Sequence, residues 1–382
     1  MNDIEQDLIR VLRDMPPVDA DPALLDSVHA RIGRRRKIRR LTVAATAAIA
    51  VAIAAAVIGT AHKPAPPSPP VTHDHRDPLV ARLGIGQVRG MAVLGANVWA
   101  FNRRNDLIRI DMRTNKVTLR VHISGLLSRA PTLLLSGRGK LWLAATTPAG
   151  IGRLIAINPS SGRVIARLDH GGTCDLVNQG LYVPVITFGA GYLWAICHTA
   201  FGGRYAARID PRTDRVDART PVIRVGGNEW IVAGPQGAWI SSDISKVTKV
   251  DPSGTRLDHM FIIDYSYPFT LTGAQLTWGA GALWALTDDE TVVKIDPTTA
   301  HIVRFFTYRA FDPNYTFSAD RLVIGFGSIW LEGGSLLRLS ATTGRVQARI
   351  GLDPNIVVVS GNAVWVGTSS GVVRIDPARL RG

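Results

Sequence analysis

The sequence has little cysteine, methionine and charge for its length. Its 382 residues include 2 cysteines and 5 methionines, and only 19% are Asp, Glu, Lys or Arg. Because 46% of the residues are hydrophobic, the chain can bury a large core, and its composition excludes global disorder. Helical periodicity is absent after about residue 60, where short runs of Val, Ile, Leu and Trp alternate with Gly and Pro. This pattern is typical of an all-β repeat fold.

Motifs of several familiar catalytic sites are also missing. The sequence contains no His/Cys cluster with metal-ligand spacing, no Gly-x-Ser-x-Gly elbow and no phosphate-binding glycine loop in a supporting context. No cofactor is therefore expected, with Mg²⁺ or Ca²⁺ as the alternative. Asp288, Asp289 and Glu290 are weak metal candidates, because hard cations bind clustered oxygens, but an acidic turn is the simpler interpretation.

The chain is strongly basic. Its formal net charge is +14, and residues 77–382 alone carry 33 Lys and Arg against 22 Asp and Glu, a net charge of +11. Such a surface attracts polyanions through a field that salt weakens, whereas solubility alone explains the charge equally well. We expect an external ligand or protein as the partner, which can be anionic, and no nucleic acid.

An uncharged run near the N-terminus predicts a transmembrane helix over residues 41–60. Leu41 to Gly59 contain no charged residue, and a helix of that length nearly spans the hydrocarbon core. Six Lys and Arg between Arg34 and Arg40 hold the preceding side in the cytoplasm, which places the remainder outside it. A cleaved signal peptide is the alternative, because small residues follow the run, but its length and position favour an uncut anchor.

The predicted organisation has four parts. Residues 1–40 form a cytoplasmic leader of two short amphipathic segments ending in the basic stretch, and residues 41–60 form the anchor. Residues 61–76 are a Pro-rich linker, which is expected to be a stiff polyproline II spacer. Residues 77–382 form the exported domain.

A tryptophan recurs throughout that domain at a spacing of about 44 residues, which is the period of four-stranded propeller blades. The fold class is therefore all-β, a seven-bladed β-propeller preceded by a transmembrane α-helix. The tryptophans keep register with the strand pattern and are predicted to be core residues between blades. They are Trp99, Trp142, Trp194, Trp239, Trp284, Trp330 and Trp365.

A side chain that can accept a hydrogen bond recurs at the end of each predicted third strand, usually before Pro. A side chain of this kind accepts from the backbone two residues later and so stabilises a turn, which makes the acids structural rather than catalytic. The seven positions are Asp111, Asn158, Asp210, Asp251, Asp296, Ser340 and Asp376.

The last blade lacks an outer strand, since only five residues follow Pro377. The start of the domain, Leu79 to Gly84, reads like the outer strands at Val164 to Leu168 and Val346 to Gly351. We predict that this N-terminal strand closes the ring and removes an exposed sheet edge.

The stretch Gly279 to Ala285, followed by Val292 to Thr299, resembles the propellers of the virginiamycin B lyase and YVTN type. The resemblance covers residues 77 to 382 and implies the blade rather than an activity, since such families include lyases, lactone hydrolases, sensors and scaffolds. Lyases of this type use a His and a Glu beside Mg²⁺. No motif of this sequence matches those catalytic residues.

Binding sites of propellers usually lie on the face where outer strands connect to the next inner strand and second strands connect to third strands. Long connections are expected at residues 168–182, 264–275 and 308–320, and at residues 144–153 and 196–205. Cys174 and Cys197 fall on this face of one blade, so a disulfide is expected in the exported domain, with two free thiols as the alternative. The candidate ligand contacts are Arg89, Arg103, Arg104, Arg129, Tyr267 and Tyr315.

The leading hypothesis is a non-catalytic, membrane-tethered recognition domain. The first alternative is a metal-dependent propeller lyase or hydrolase, for which His198 and Glu229 are the acid/base candidates. The second alternative is an assembly scaffold of the cell envelope. In each case the protein is expected in the cell membrane with a single pass, a cytoplasmic N-terminus and an extracytoplasmic propeller.

Overall fold

The computed structural model describes ten stretches of the chain, all within one compact unit formed by residues 74–382. The predicted leader, anchor and linker lie outside the described residues. In the described part of the chain, no helix combines the length and the apolar character needed to cross a bilayer. The described stretches are residues 78–128, 132–168, 186–199, 203–221, 230–242, 246–262, 275–287, 290–299, 301–308 and 319–380.

The described residues form seven four-stranded antiparallel sheets, which confirms the predicted seven-bladed propeller. Each sheet is one blade, and its strands run from the inner strand to the outer strand. The N-terminal strand and blades 1 to 3 are β1 (Leu79–Leu83); β2 (Val88–Leu94), β3 (Asn97–Asn102), β4 (Asp106–Asp111), β5 (Lys116–His122); β6 (Leu133–Gly137), β7 (Lys140–Thr146), β8 (Gly152–Ile157), β9 (Val164–Leu168); β10 (Ile186–Gly189), β11 (Tyr192–His198), β12 (Arg204–Asp210) and β13 (Arg215–Arg219).

The remaining blades continue the same order along the chain. Blades 4 to 7 are β14 (Trp230–Gly234), β15 (Gly237–Ser242), β16 (Lys246–Val250), β17 (Leu257–Ile262); β18 (Gln275–Gly279), β19 (Ala282–Leu286), β20 (Thr291–Ile295), β21 (Ile302–Thr307); β22 (Ala319–Gly325), β23 (Ser328–Gly333), β24 (Leu336–Ser340), β25 (Val346–Ile350); β26 (Pro354–Ser360), β27 (Ala363–Thr368) and β28 (Val372–Ile375).

The ring is closed by the N-terminal strand, as the sequence predicts. Strand β1 pairs antiparallel with β28, with Leu79 opposite Ile375 and Leu83 opposite Val372. Each inner strand also contacts the inner strand of the next blade, and β26 contacts β2. The first and last parts of the propeller are therefore held together by a hydrogen-bonded ladder, and blade 7 has the same number of strands as the others.

The seven repeat tryptophans are core residues, which confirms their predicted role. Each is at most 1% exposed, and each belongs to a different hydrophobic cluster between its own blade and the next. Trp278, which lies outside the repeat, stacks on Trp239 with ring centroids 5.1 Å apart. Apolar packing between blades thus supplies most of the buried area that holds the ring together.

Glycine ends five of the inner strands because neighbouring blades touch there. The indoles of Trp194, Trp284 and Trp330 donate to the carbonyl of the glycine five residues earlier, at 3.0, 3.0 and 3.2 Å. A Cβ added at Gly189 would lie 2.6 Å from the backbone carbon of Ala233 in the next blade. The glycine therefore permits an approach between blades that no larger residue allows.

We expect Gly189→Ala to lower the free energy of unfolding by about 1–3 kcal/mol, because the new methyl group meets backbone that cannot rotate away. Chemical unfolding followed by tryptophan fluorescence measures the change. Gly351→Ala is the matched control, since nothing lies within 4 Å of a Cβ at that position. Equal effects of the two substitutions would contradict the close packing of blades 3 and 4.

The antiparallel order gives the propeller two different faces. On the turn face, inner strands turn into second strands and third strands turn into outer strands. On the loop face, second strands turn into third strands and outer strands lead to the next blade. Two connections on the loop face are shorter than predicted, because the strands extend into them. In blade 2 the strands leave only residues 147–151 between them, and in blade 3 β11 reaches His198 and β12 begins at Arg204. The extra residues lengthen these hairpins instead of forming long loops.

Candidate functional site

The side chain at the end of the third strand accepts a backbone hydrogen bond in all seven blades, which confirms the structural role predicted for these acceptors. In each turn the side chain accepts from the backbone N–H two residues later. The N···O distances range from 2.7 Å at Asp296 to 3.3 Å at Asp251 and Ser340. These groups are committed to backbone hydrogen bonds and are poor candidates for chemistry.

The turn geometry lowers the pKa of four of these carboxyl groups below the ordinary value of 3.8. At Asp111 and Asp296 the main cause is a hydrogen bond from a backbone N–H, and at Asp210 it is a hydrogen bond from Arg212. At Asp251 burial acts to raise the pKa, but hydrogen bonds from Ser253, Arg256 and Thr255 together outweigh it. The folded protein therefore favours the ionised form of each group.

Acid should destabilise the propeller through these turns. Because the folded-state pKa lies below the unfolded value of 3.8, the stabilisation is present above that pH and is lost as the pH falls through the folded-state pKa. We expect a constant melting temperature between about pH 5 and 7 and a steep fall below about pH 4. Asp296→Ser, which copies Ser340 of blade 6, should weaken this acid dependence. A melting temperature that stays flat down to pH 3 would contradict the interpretation.

Many basic residues of the propeller are held between blades. In most blades a cation lies over the repeat tryptophan of its own blade, as Arg338 does over Trp330 at 5.4 Å. In blade 3, Arg208 lies over Tyr192 instead. The Arg338 guanidinium also donates to the Pro377 carbonyl of blade 7 at 2.8 Å. Related contacts recur around the ring: Arg109 reaches Pro159 O, Lys140 reaches Pro211 O, Arg208 reaches Pro252 O and Arg374 reaches Asn115 Oδ1. We call these five residues, including Arg338, the clamp cations.

The clamp cations explain part of the basic composition. Each combines a cation–π contact with a hydrogen bond to a turn of the next blade. The charge of each clamp cation therefore stabilises the closed ring and is not available for ligand binding. Burial lowers the pKa of Arg338, but the pKa of an arginine starts so far above neutral pH that the side chain stays charged. Sequence reasoning missed this role, although the signal was present as a Lys or Arg two residues before most turn acceptors.

On the loop face, the structure brings three predicted ligand contacts together in blade 1. Arg89 begins the inner strand, and Arg103 and Arg104 lie in the turn between β3 and β4. Arg103 and Arg104 are exposed, and Arg103 donates to Gln87 Oε1 at 3.2 Å. These two guanidinium groups are accessible to an anionic or hydrogen-bonding partner.

Arg89 is held more firmly than its neighbours. Its Nη2 donates to Asn105 Oδ1 at 2.9 Å, and its guanidinium lies 5.4 Å from the centre of the Phe101 ring. Asn105 is 7% exposed and donates to the Leu126 carbonyl. Arg89 therefore orders the turn that presents Arg103 and Arg104.

Polar groups that sequence reasoning missed lie beside these arginines. Asn102 is fully buried, and its Oδ1 accepts from the backbone N–H groups of Arg104 and Asp106 at 2.9 Å each. Asp106 also pairs with Arg120 at 3.5 Å and with His122 Nδ1 at 3.4 Å. The result is a turn with fixed backbone and a mixed-charge rim.

Blade 6 contributes a buried carboxylate to the same face. Glu332 ends β23, is 3% exposed and accepts from the Val357 N–H of blade 7 at 3.0 Å. The only sequence signal was an acid that follows the apolar run Ile329 to Leu331. The contact joins two blades, so we assign Glu332 a structural role.

The other predicted site residues are either placed outside this cluster or lie outside the described residues. His198 is half-buried at the end of β11, opposite Arg204, and Glu290 lies in the turn before β20 with φ of 59°. In the part of the chain that the structure describes, no three His, Cys, Asp or Glu residues are grouped for a metal ion. The candidates outside the described residues are Arg129, Glu229, Tyr267, Tyr315, Asp288, Asp289 and Cys174.

Comparisons with known proteins do not show a family for this chain. No family model matches the chain, and no curated protein matches it. Among solved structures it is similar to BamB from Moraxella catarrhalis, with 16% sequence identity over 75% of this chain and 82% of that chain and a TM-score of 0.46. The assignment of the fold rests on the seven sheets themselves, and the resemblance to virginiamycin B lyase and YVTN propellers stays a prediction.

Proposed function

We propose that the protein is a membrane-tethered β-propeller outside the cytoplasm that recognises a ligand or a protein partner on its loop face. The observation that carries the proposal is the difference between the two faces. In all seven blades the end of the third strand repeats one hydrogen-bonded geometry, whereas the connections on the loop face differ in length and residue type from blade to blade. Variation placed on a rigid scaffold is typical of binding surfaces.

Blade 1 gives this proposal its best-defined part. The Arg103 and Arg104 turn is exposed, and the Asn102 amide and the contact between Arg89 and Asn105 fix its backbone. A preorganised arginine pair binds carboxylate or phosphate groups at a small entropic cost. The favoured partner therefore presents an anionic or acceptor-rich surface.

Photo-crosslinking tests the recognition surface. A photoreactive residue replaces Arg103 or Arg104 on the loop face, and in matched variants it replaces Arg163 or Arg212 on the turn face. We expect a discrete protein or ligand adduct from the loop-face positions only. The same adduct from both faces, or none from the loop face, would reject the proposal.

The tether is tested separately in isolated membranes. The full chain should resist extraction by alkaline carbonate, a variant that lacks residues 41–59 should be extracted, and protease added outside spheroplasts should reach the propeller. A propeller protected from external protease would reverse the proposed orientation. Mobility of the mature protein on a gel separates an uncut anchor from a cleaved signal peptide.

The two alternatives have tests of their own. A metal-dependent lyase or hydrolase that uses His198 and Glu229 requires Mg²⁺ or Ca²⁺ to raise the melting temperature and EDTA to reverse the rise. An envelope scaffold requires proteins that co-purify through the blade surfaces rather than through the loop face.

The predicted disulfide belongs to the same loop face. Cys197 is fully buried near the end of β11, and no free cysteine occurs among the described residues, whereas its predicted partner Cys174 lies outside them. We expect no free thiol when the unreduced protein is unfolded and titrated. Reduction should then lower the free energy of unfolding by roughly 3 kcal/mol, as expected for a loop of this length. Two titratable thiols before reduction would reject the bond.

A further inference from the structure

The turn face carries a second set of basic residues, which is distinct from the clamp cations. In each of the first six blades, the residue directly before the first apolar residue of the outer strand is basic or His, and all six are exposed. They are Lys116, Arg163, Arg215, Arg256, His301 and Arg345. We call this set the turn-face ring.

Four residues of the turn-face ring do not stabilise the fold as the clamp cations do. No ion pair or hydrogen bond of a described residue holds the side chains of Lys116, Arg163, Arg215 and Arg345. The nearby aspartates are already occupied by turn N–H groups, as Asp111 is by the N–H groups of Arg113 and Thr114. Lys116, Arg163, Arg215 and Arg345 are therefore exposed cations that no described residue pairs, on a face where the turn aspartates keep their own negative charge.

The chain enters the propeller on this same face. Strand β1 begins there at Leu79, opposite Ile375, and the Pro78 carbonyl accepts from the Asp376 N–H at 3.0 Å. Blade 7 lacks a turn from third to outer strand because β1 takes the outer position. Pro78, the first residue that the structure describes, thus lies on the same face as the turn-face ring.

Equivalent positions in successive blades lie at similar heights along the propeller axis, so the ring forms one rim of a face. Such a rim fits a flat anionic surface, whereas a linear polyanion is better matched by charge that follows a continuous path. We propose that the turn face lies against an anionic lipid bilayer and that the turn-face ring binds its phosphate headgroups. The proposal rests on the membrane tether proposed above, and it leaves the loop face pointing away from the bilayer.

Arginine labelling of the full chain tests this orientation. The protein is reconstituted into vesicles of phosphatidylcholine alone or phosphatidylcholine mixed with phosphatidylglycerol, treated with phenylglyoxal and analysed by mass spectrometry. We expect labelling of Arg163, Arg215 and Arg345 to slow at least about threefold in the anionic vesicles and to recover in 1 M salt. Labelling of the loop-face residues Arg103 and Arg104 should not depend on lipid charge.

A charge variant provides the matched control. Acetylation of Lys116 should be slowed by phosphatidylglycerol in the native chain and in Arg103→Gln/Arg104→Gln, but not in Arg163→Gln/Arg215→Gln/Arg345→Gln. Equal labelling rates in both kinds of vesicle, or protection of the loop face instead, would overturn the proposal. Equally strong protection by double-stranded DNA in neutral vesicles would also overturn it, because the surface would then be a general polyanion site.

The same experiment separates this inference from the tether. A tethered protein floats with both kinds of vesicle, whatever the turn face does. If the protein floats only with anionic vesicles and its turn-face arginines are protected there, the tether fails while the lipid-binding face is supported. If it floats with both and shows no protection, the tether is supported and the lipid-binding face is rejected.

Discussion

Deleting residues 78–83 should lower the melting temperature by more than about 10 °C or prevent folding, which is the largest effect we expect of any small change. The deletion removes β1, and with it the ladder from Leu79 to Leu83 that pairs with β28. It also exposes the edge of β28 and uncovers the clusters at the two interfaces of blade 7, against which Leu79 and Leu83 pack. Thermal unfolding followed by circular dichroism measures the effect.

Two further variants test whether the loss of stability comes from the missing strand rather than from shortening the chain. Deleting residues 64–69 of the Pro-rich linker removes the same number of residues and should leave the melting temperature unchanged. Leu83→Ala keeps the ladder but removes apolar contact, so it should cause a smaller fall in the same direction. A propeller that melts normally without residues 78–83 would show that β1 contributes little to the closed ring.

Truncating a repeat tryptophan should have the next largest effect. Trp284 is 1% exposed, packs in the cluster between blades 5 and 6, and donates its indole N–H to Gly279 O at 3.0 Å. We expect Trp284→Ala to lower the free energy of unfolding by about 3–5 kcal/mol, because it leaves a large cavity between blades. Urea unfolding at pH 7 gives the value.

Phe326→Ala is the control for this substitution. Phe326 is aromatic but 39% exposed in a turn on the turn face, so its loss should cost less than about 0.5 kcal/mol. If Trp284→Ala were as mild as the control, the repeat tryptophans would not be the core residues between blades.

The fold could be predicted from the sequence because its determinants repeat. The spacing of the tryptophans gives the number of blades, and the acceptor at the end of each third strand locates a turn that needs only local hydrogen bonds. The missing outer strand after Pro377 and the matching segment at Leu79 together predict the closure, which the pairing of β1 with β28 confirms. Each of these signals depends on residues that are close in sequence or on the number of repeats, so it can be read without knowing any contact between blades.

The candidate site was less predictable because it depends on side-chain contacts between strands and between blades. Arg89 looks like any loop-face arginine in the sequence, and only the structure shows that Asn105 and Phe101 hold it. The clamp cations are similar: a Lys or Arg before a turn reads as a solvated residue until the proline carbonyl of the next blade is placed beside it. The two loop-face hairpins were predicted too long because periodicity cannot tell a lengthened strand from a loop.

The pairing of Leu79 with Ile375 has a consequence for biosynthesis. A ribosome makes β1 before any strand of the blade it completes, and the partner strand β28 is almost the last part of the domain to be produced. During that interval the segment that becomes β1 has no partner strand, so its backbone groups are open to pairing with other chains. The closing ladder can therefore form only after β28 has been synthesised, and a chain interrupted before β28 cannot form it.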